Sequence, residues 1–212
     1  MAVMTTEIAG HAEAPSRADV NRRRILDVAL TELLRDPDAS IDQIARAAGV
    51  VRRTVYGHFP SREALIHTLF DAAVDAVESA HMAGRQGVED PLESLVRSTL
   101  ACWEVADRYR LLVGLAHRSV TVQGIRVRLA PVRGAAVEVL RCGLEQGVFK
   151  SPLPATVLAQ VHEQMLFALM EAVNHGLLAA EEAGRSAAVT LLTSAGVSAS
   201  HATELVAKLS YD

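Results

Sequence analysis

Arg52, Arg53, Thr54, Tyr56 and His58 fall within seven residues of a chain whose formal net charge is −4. These side chains share a chemistry. Arginine reaches guanine O6 and N7 with two hydrogen bonds, threonine offers a hydroxyl to base or phosphate and a methyl to thymine, and tyrosine and histidine can hold backbone oxygens at the rim. Between Ser40 and Arg62 four arginines stand against one acid, Asp42, so the stretch carries +3 within an acidic protein. Local sign, more than the total, decides whether phosphates can be met.

That chemistry requires the side chains to share one surface. Two short helices cross steeply when a small residue lets them approach, a residue tolerant of positive φ makes the turn, and an apolar residue locks the second helix. Ala45, Gly49 and Val55 have those types, four and then six residues apart. Ile41, Ile44, Val50 and Phe59 complete a buried side, which leaves Arg52, Arg53, Thr54, Tyr56, Gly57 and His58 outside. This is the pattern of a helix-turn-helix whose second helix enters the major groove of double-stranded DNA.

The run IDQIARAAGVVRRTVYGHFPSREAL resembles the N-terminal DNA-binding module of the tetracycline-repressor (TetR) family of bacterial transcriptional regulators. The resemblance spans about residues 18 to 70 and rests on helix order, the Tyr-x-His-Phe ending and the Ser-Arg-Glu-Ala-Leu entry to the next helix. It implies that Ser40 contacts phosphate, that Arg52, Arg53 and Thr54 face base edges or adjacent backbone, and that Tyr56, His58 and Arg62 anchor phosphates. The Arg22–Arg24 run would touch the flanking backbone. Val51 stands where the family commonly has a small or hydroxyl-bearing residue, so the recognition helix is expected to lack a side-chain cap. Gly57 replaces a commonly basic or polar residue.

The elements that carry this stretch are helical throughout. Apolar residues recur at three and four, as in Leu26, Ala29, Leu30 and Leu33, while strand-type alternation never persists. The expected fold is all-α, an N-terminal three-helix DNA-binding module with a helix-turn-helix joined to a larger helical ligand-binding and dimerisation domain. Residues 1–17 read as a flexible tail, 18–60 as the DNA-binding domain and 61–212 as the helical body. Helices are expected over 18–34, from 41, then over 62–82, 91–106, 109–118, 127–145, 154–178, 185–193 and 199–210. Leu65, Leu69, Ala72, Ala73 and Ala76 form the predicted buried stripe of the long fourth helix.

A module of about 50 residues supplies few base contacts, so two copies on a twofold axis, reading a palindromic operator, are the expected solution. The body must then dimerise. Val161, Val173 and Leu177 of the long late segment and Leu205 and Leu209 of the last helix are the predicted interface, a four-helix arrangement with the partner copy. A small-molecule effector is the expected input, and an apolar or amphipathic one suits the candidate walls. These are Trp103, Tyr109, Leu112 and His117 from the middle helices, and His162, Met165, Leu169 and Met170 from the late one. His117, His162 or Glu104 would orient one polar group of the ligand.

Enzyme chemistry finds no constellation. His162-Glu163 opens like a zinc-protease HExxH helix, but Leu166 occupies the second histidine's place. GxGxxG, GxxxxGK and GxSxG are absent from the sequence, and the eight histidines are scattered. Cys102 and Cys142, 40 residues apart, have neither metal nor redox spacing. No cofactor or metal is expected. Residues 1–17 lack the cationic start and apolar centre of a secretion signal, and no apolar run approaches a membrane span, so the expected location is cytoplasmic. The competing reading from another class is an α-helical small-molecule carrier or enzyme in which the helix-turn-helix is only scaffold.

Overall fold

The computed structural model describes residues 16–119, 124 and 127–210, the side chains of 111–119 excepted. Most of the expected N-terminal tail thus lies outside the described residues. Those described form α1 (Arg17–Arg35), α2 (Ile41–Ala47), α3 (Arg52–His58), α4 (Arg62–Arg85), α5 (Pro91–Ser119), α6 (Ala130–Glu145), α7 (Ala155–Asn174), α8 (Ala180–Ser194) and α9 (Ala199–Leu209). They contain helices and no strand, and none of these helices is long and apolar enough to cross a membrane. The fold is all-α. Two compact units divide it, Met1–Arg62 and Glu63–Asp212.

In the first unit the helix starts follow local side-chain chemistry. Ser16 caps α1 and Ser40 caps α2, each in a capping box closed by the residue three positions on, Asp19 and Gln43. Ala39, at 1% exposure, and Ile41, Ile44 and Ala45 are buried with Ile25, Ala29 and Leu33 of α1. Gly49 has φ +65°, a region closed to most L side chains, and its N–H reaches the Arg46 carbonyl while the Val50 N–H reaches that of Ala45. Those two bonds end α2 and turn the chain toward α3. Val55, fully buried, then locks α3 onto the unit, with Phe59 buried just beyond it.

In the second unit α5 packs on α6, α7, α8 and α9, and α6 pairs with α7. Leu95, Val96, Leu140, Phe149, Leu158, Leu192 and Val206 make the main core, and a second cluster surrounds Trp103 with Met170, Val173, Ala183 and Ala187. Each large aliphatic side chain taken out of water contributes about 1.5–3 kcal/mol. Gly84 lets α4 approach α5: a Cβ there would stand 2.8 Å from the Arg97 carbonyl oxygen.

Several expected boundaries move. The separate helices over 91–106 and 109–118 are one helix, α5, because Asp107 and Arg110 pair at 2.9 Å along it and no helix breaker separates the two halves. The long late helix ends at Asn174, not near 178. Leu177 N–H bonds back to Ala172 and Gly176 N–H to Val173, the closure typical of a helix ending on glycine. α8 begins at Ala180, with Glu181 and Glu182 favourably placed in its first turn. Ala72 is exposed, and the buried side of α4 is Leu65, Ile66, Leu69, Phe70, Ala73, Val74 and His81.

Candidate nucleic-acid interface and effector cavity

The first unit presents a basic face built on α3. Val55 points into the core, and on a helix this sets Arg52, Arg53 and Tyr56 outward; all three are exposed. Thr54 and His58 are half-buried beside them. The guanidinium of Arg52 lies 5.2 Å from the Tyr56 ring centroid and donates to Tyr56 Oη at 3.1 Å and to Asp42 Oδ2 at 3.0 Å. Asp42 thus pairs with Arg52 in the open, as an internal carboxylate with which a phosphate or base would compete. Val51 leaves α3 without a side-chain cap, as its type implies.

Other candidates occupy different roles. Ser40 is exposed, but its hydroxyl caps α2 and donates to Gln43 Oε1 at 2.7 Å. Arg62 donates to the carbonyls of Ala39 at 3.0 Å and Pro37 at 2.5 Å, which pins the α1–α2 loop and draws the side chain from free display on the reading face. Arg22 lies 5.4 Å from the Phe59 ring centroid, and Arg24 lies against Gly49 at the turn.

The second unit carries a partly open cavity of about 160 Å³ with walls from α4, α5, Leu129, α6, α7 and Leu191 of α8. Trp103, Tyr109 and His162 line it, and so does Met170. Met165 and Leu169 do not; Leu169 instead packs on the cluster around Trp103. Glu104 is exposed, and the side chains of Leu112 and His117 lie outside the described residues. The sequence reading missed Phe70, His81, Phe167 and the Arg133–Glu163 pair. Phe70, Val74, Val77 and His81 recur at helical spacing along one face of α4, a legible stripe ending in a histidine.

Most polar groups of the wall are already committed. Ser98 and Thr99 hydroxyls donate to the Ser94 and Leu95 carbonyls, both at 2.7 Å. Arg133 grips Glu163 with two bonds, Nε to Oε2 at 2.9 Å and Nη2 to Oε1 at 3.1 Å. His162 Nε2 meets Ser194 Oγ at 2.8 Å; since that hydroxyl gives its proton to the Leu191 carbonyl, Nε2 is the protonated nitrogen. Burial lowers His162 to about 4, and burial with the nearby Arg85 charge lowers His81 to about 4. Burial pushes Cys102 up to about 12, so it remains a thiol. At neutral pH both histidines are uncharged.

Of the predicted dimer residues, Val173 and Leu209 are buried in their own unit, at 9% and 8% exposure, and Leu205 is half-buried against its core. Side chains of the same chain already cover Val173 and Leu209, which takes these two out of the candidate interface, while Leu205 keeps part of its surface exposed. Val161 and Leu177 are exposed, and Leu153 and Val157 join them as exposed large apolar residues.

Residues 25–69 match the family model described as bacterial regulatory proteins, tetR family. The HTH-type transcriptional regulator EthR of Mycobacterium tuberculosis is 29% identical over 191 residues, covering 78% of this chain and 86% of that protein. Among solved structures, the TetR family regulator PfmR from Thermus thermophilus superposes with a TM-score of 0.66 at 22% identity, over 80% of this chain and 97% of that one. FadR from Bacillus subtilis, solved with stearoyl-CoA, gives 0.69 at 17% identity, over 81% and 98%. The family match over residues 25–69 and the similarity to EthR support a TetR-family transcriptional regulator, and the helical body shares the fold of the solved TetR-family structures.

Proposed function

We propose that this protein is a homodimeric repressor that binds a palindromic double-stranded DNA operator and leaves it when a small apolar or amphipathic molecule occupies the second unit's cavity. The carrying observation is the α3 surface, where Arg52, Arg53 and Tyr56 stand exposed while Val55 is fully buried. Thr54 and His58 flank that face and contribute backbone contacts. The protein works in the cytoplasm, where such operators are accessible. Its family is one of transcriptional regulators, which are not enzymes. FadR of Bacillus subtilis, a protein of the same fold, was solved in complex with stearoyl-CoA, an amphipathic molecule. This supports the effector reading.

Coupling between effector and operator runs along α4. That helix carries Arg62, the last residue of the first unit, and also the cavity residues Phe70, Val77 and His81. A ligand that binds the DNA-free form tenfold more tightly weakens operator binding by the same factor. Selecting the purified protein on a random duplex library at physiological salt tests the reading. The expected product is a palindrome with half-sites about one helical turn apart; weak binding without sequence preference would remove it.

Dimerisation uses exposed apolar side chains on and beside α7, Leu153, Val157, Val161 and Leu177. Val161 and Leu177 are exposed enough to change without opening the core, so V161E with L177E yields folded monomers of 22.7 kDa by light scattering, with operator affinity lost. A double variant that remains dimeric places the interface elsewhere.

A further inference from the structure

Among the described residues only three buried side-chain polar atoms have no hydrogen-bond partner: His81 Nδ1, Trp103 Nε1 and Arg110 Nε. Two of the three belong to residues that line the same cavity, His81 and Trp103, which are 7% and 6% exposed. An indole N–H is a donor and nothing else, so a partner for Trp103 must bring an acceptor. Of the other donors of the wall, Ser98, Thr99, His162 and Arg133 each have the partners given above, and the half-buried Tyr109 hydroxyl is the further donor that a ligand could meet. A buried donor left unpaired is unfavourable, and a ligand oxygen that pairs with it recovers that loss.

Charge narrows the ligand further. Arg133 is neutralised by Glu163, and both His81 and His162 are uncharged at neutral pH, so no free cation among the described wall residues would balance an anion. Size narrows it again. An apolar cavity of roughly 150 Å³ admits benzene, and this one measures about 160 Å³ with aromatic walls at Phe70 and Phe167.

We propose that the cavity selects an uncharged molecule about the size of a substituted benzene ring that presents a hydrogen-bond acceptor, such as a carbonyl oxygen, to the indole N–H of Trp103. This rests on the reading of the cavity as the effector site. His81 lies on the same wall and can give or accept a second bond according to its tautomer, which adapts the site to a further polar substituent.

Three probes of similar size separate the requirements: acetophenone has the acceptor, ethylbenzene lacks it, and benzoate is an anion. Calorimetry on the full-length protein at pH 7.5 is expected to show acetophenone binding about tenfold more tightly than ethylbenzene, the effect of one satisfied buried donor. Benzoate binds more weakly than acetophenone. Trp103→Phe keeps the ethylbenzene affinity and loses the ketone's advantage. Because Trp103 is the single tryptophan of the chain, the wild-type protein gives a second readout free of mutation. Its one indole N–H resonance shifts downfield with acetophenone and not with ethylbenzene. Equal affinities, ketone preference surviving in W103F, or an indole resonance indifferent to the ketone would overturn the acceptor assignment while leaving the cavity as a ligand site. If none of the three probes binds, the effector reading of the cavity falls, and the acceptor assignment falls with it.

Discussion

Replacing Arg52 and Arg53 together by alanine removes sequence-specific DNA binding while the helical content and the oligomeric state stay as in the wild type. Both side chains are exposed, so their truncation leaves the core of α1, α2 and α3 untouched. The loss in operator affinity is on the order of a hundredfold or more, because bidentate arginine contacts with guanine carry much of the discrimination available to a recognition helix. The opposite change comes from Asp42. Its carboxylate occupies Arg52 at 3.0 Å in the free protein, and D42N releases that guanidinium and removes one negative charge from the face. An exposed pair of this kind is weak, so the gain in affinity is about threefold. Titrating the selected duplex with both variants at fixed salt decides the matter. Unchanged affinity in the double arginine variant would show that α3 does not read DNA.

Acid weakens the second unit through two histidines. His81 and His162 have folded-state values near 4 against 6.5 for an ordinary histidine, chiefly through burial. The unfolded chain therefore takes up protons below about pH 6.5, whereas the folded chain resists until about pH 4. Stability is fully present above pH 6.5, falls as the pH drops through this window, and loses nothing more from these two groups below it. The shift corresponds to roughly 3 kcal/mol for each residue across the window. Urea unfolding at one protein concentration, at pH 7 and pH 4.5, should differ by several kcal/mol, and H81L should flatten the dependence. Equal stability at the two pH values would mean that the histidines are not held neutral by burial.

The helix-turn-helix crossing was legible because its signals are local. Ala45, Gly49, Val55 and Phe59 occupy a fixed pattern within 15 residues, and the structure gives Gly49 its positive φ and buries the other three. The cavity was legible only in part. Trp103, Tyr109 and His162 come together, but Met165 and Leu169 do not line it. On a helix with apolar residues on more than one side, as in α7, periodicity cannot say which side meets a ligand, a core or a partner. For the same reason Val173 and Val161 looked equivalent in sequence, and only packing separates the 9% exposed residue from the 36% exposed one. The loop contacts of Arg62 were hidden on similar grounds: carbonyl groups of Pro37 and Ala39 that receive its guanidinium lie more than 20 residues earlier.

The sequence by itself determined the helical class, the two-helix crossing and the cationic surface of α3, because turn geometry, capping and helical periodicity act between residues a few positions apart. Only the tertiary structure decided that Asp42 pairs with Arg52, that Arg133 and Glu163 cancel across 30 positions, and that His81 and Trp103 meet one cavity with nitrogens unpaired. Those facts depend on which helix faces lie together and how much water they exclude. No spacing along the chain encodes either quantity directly.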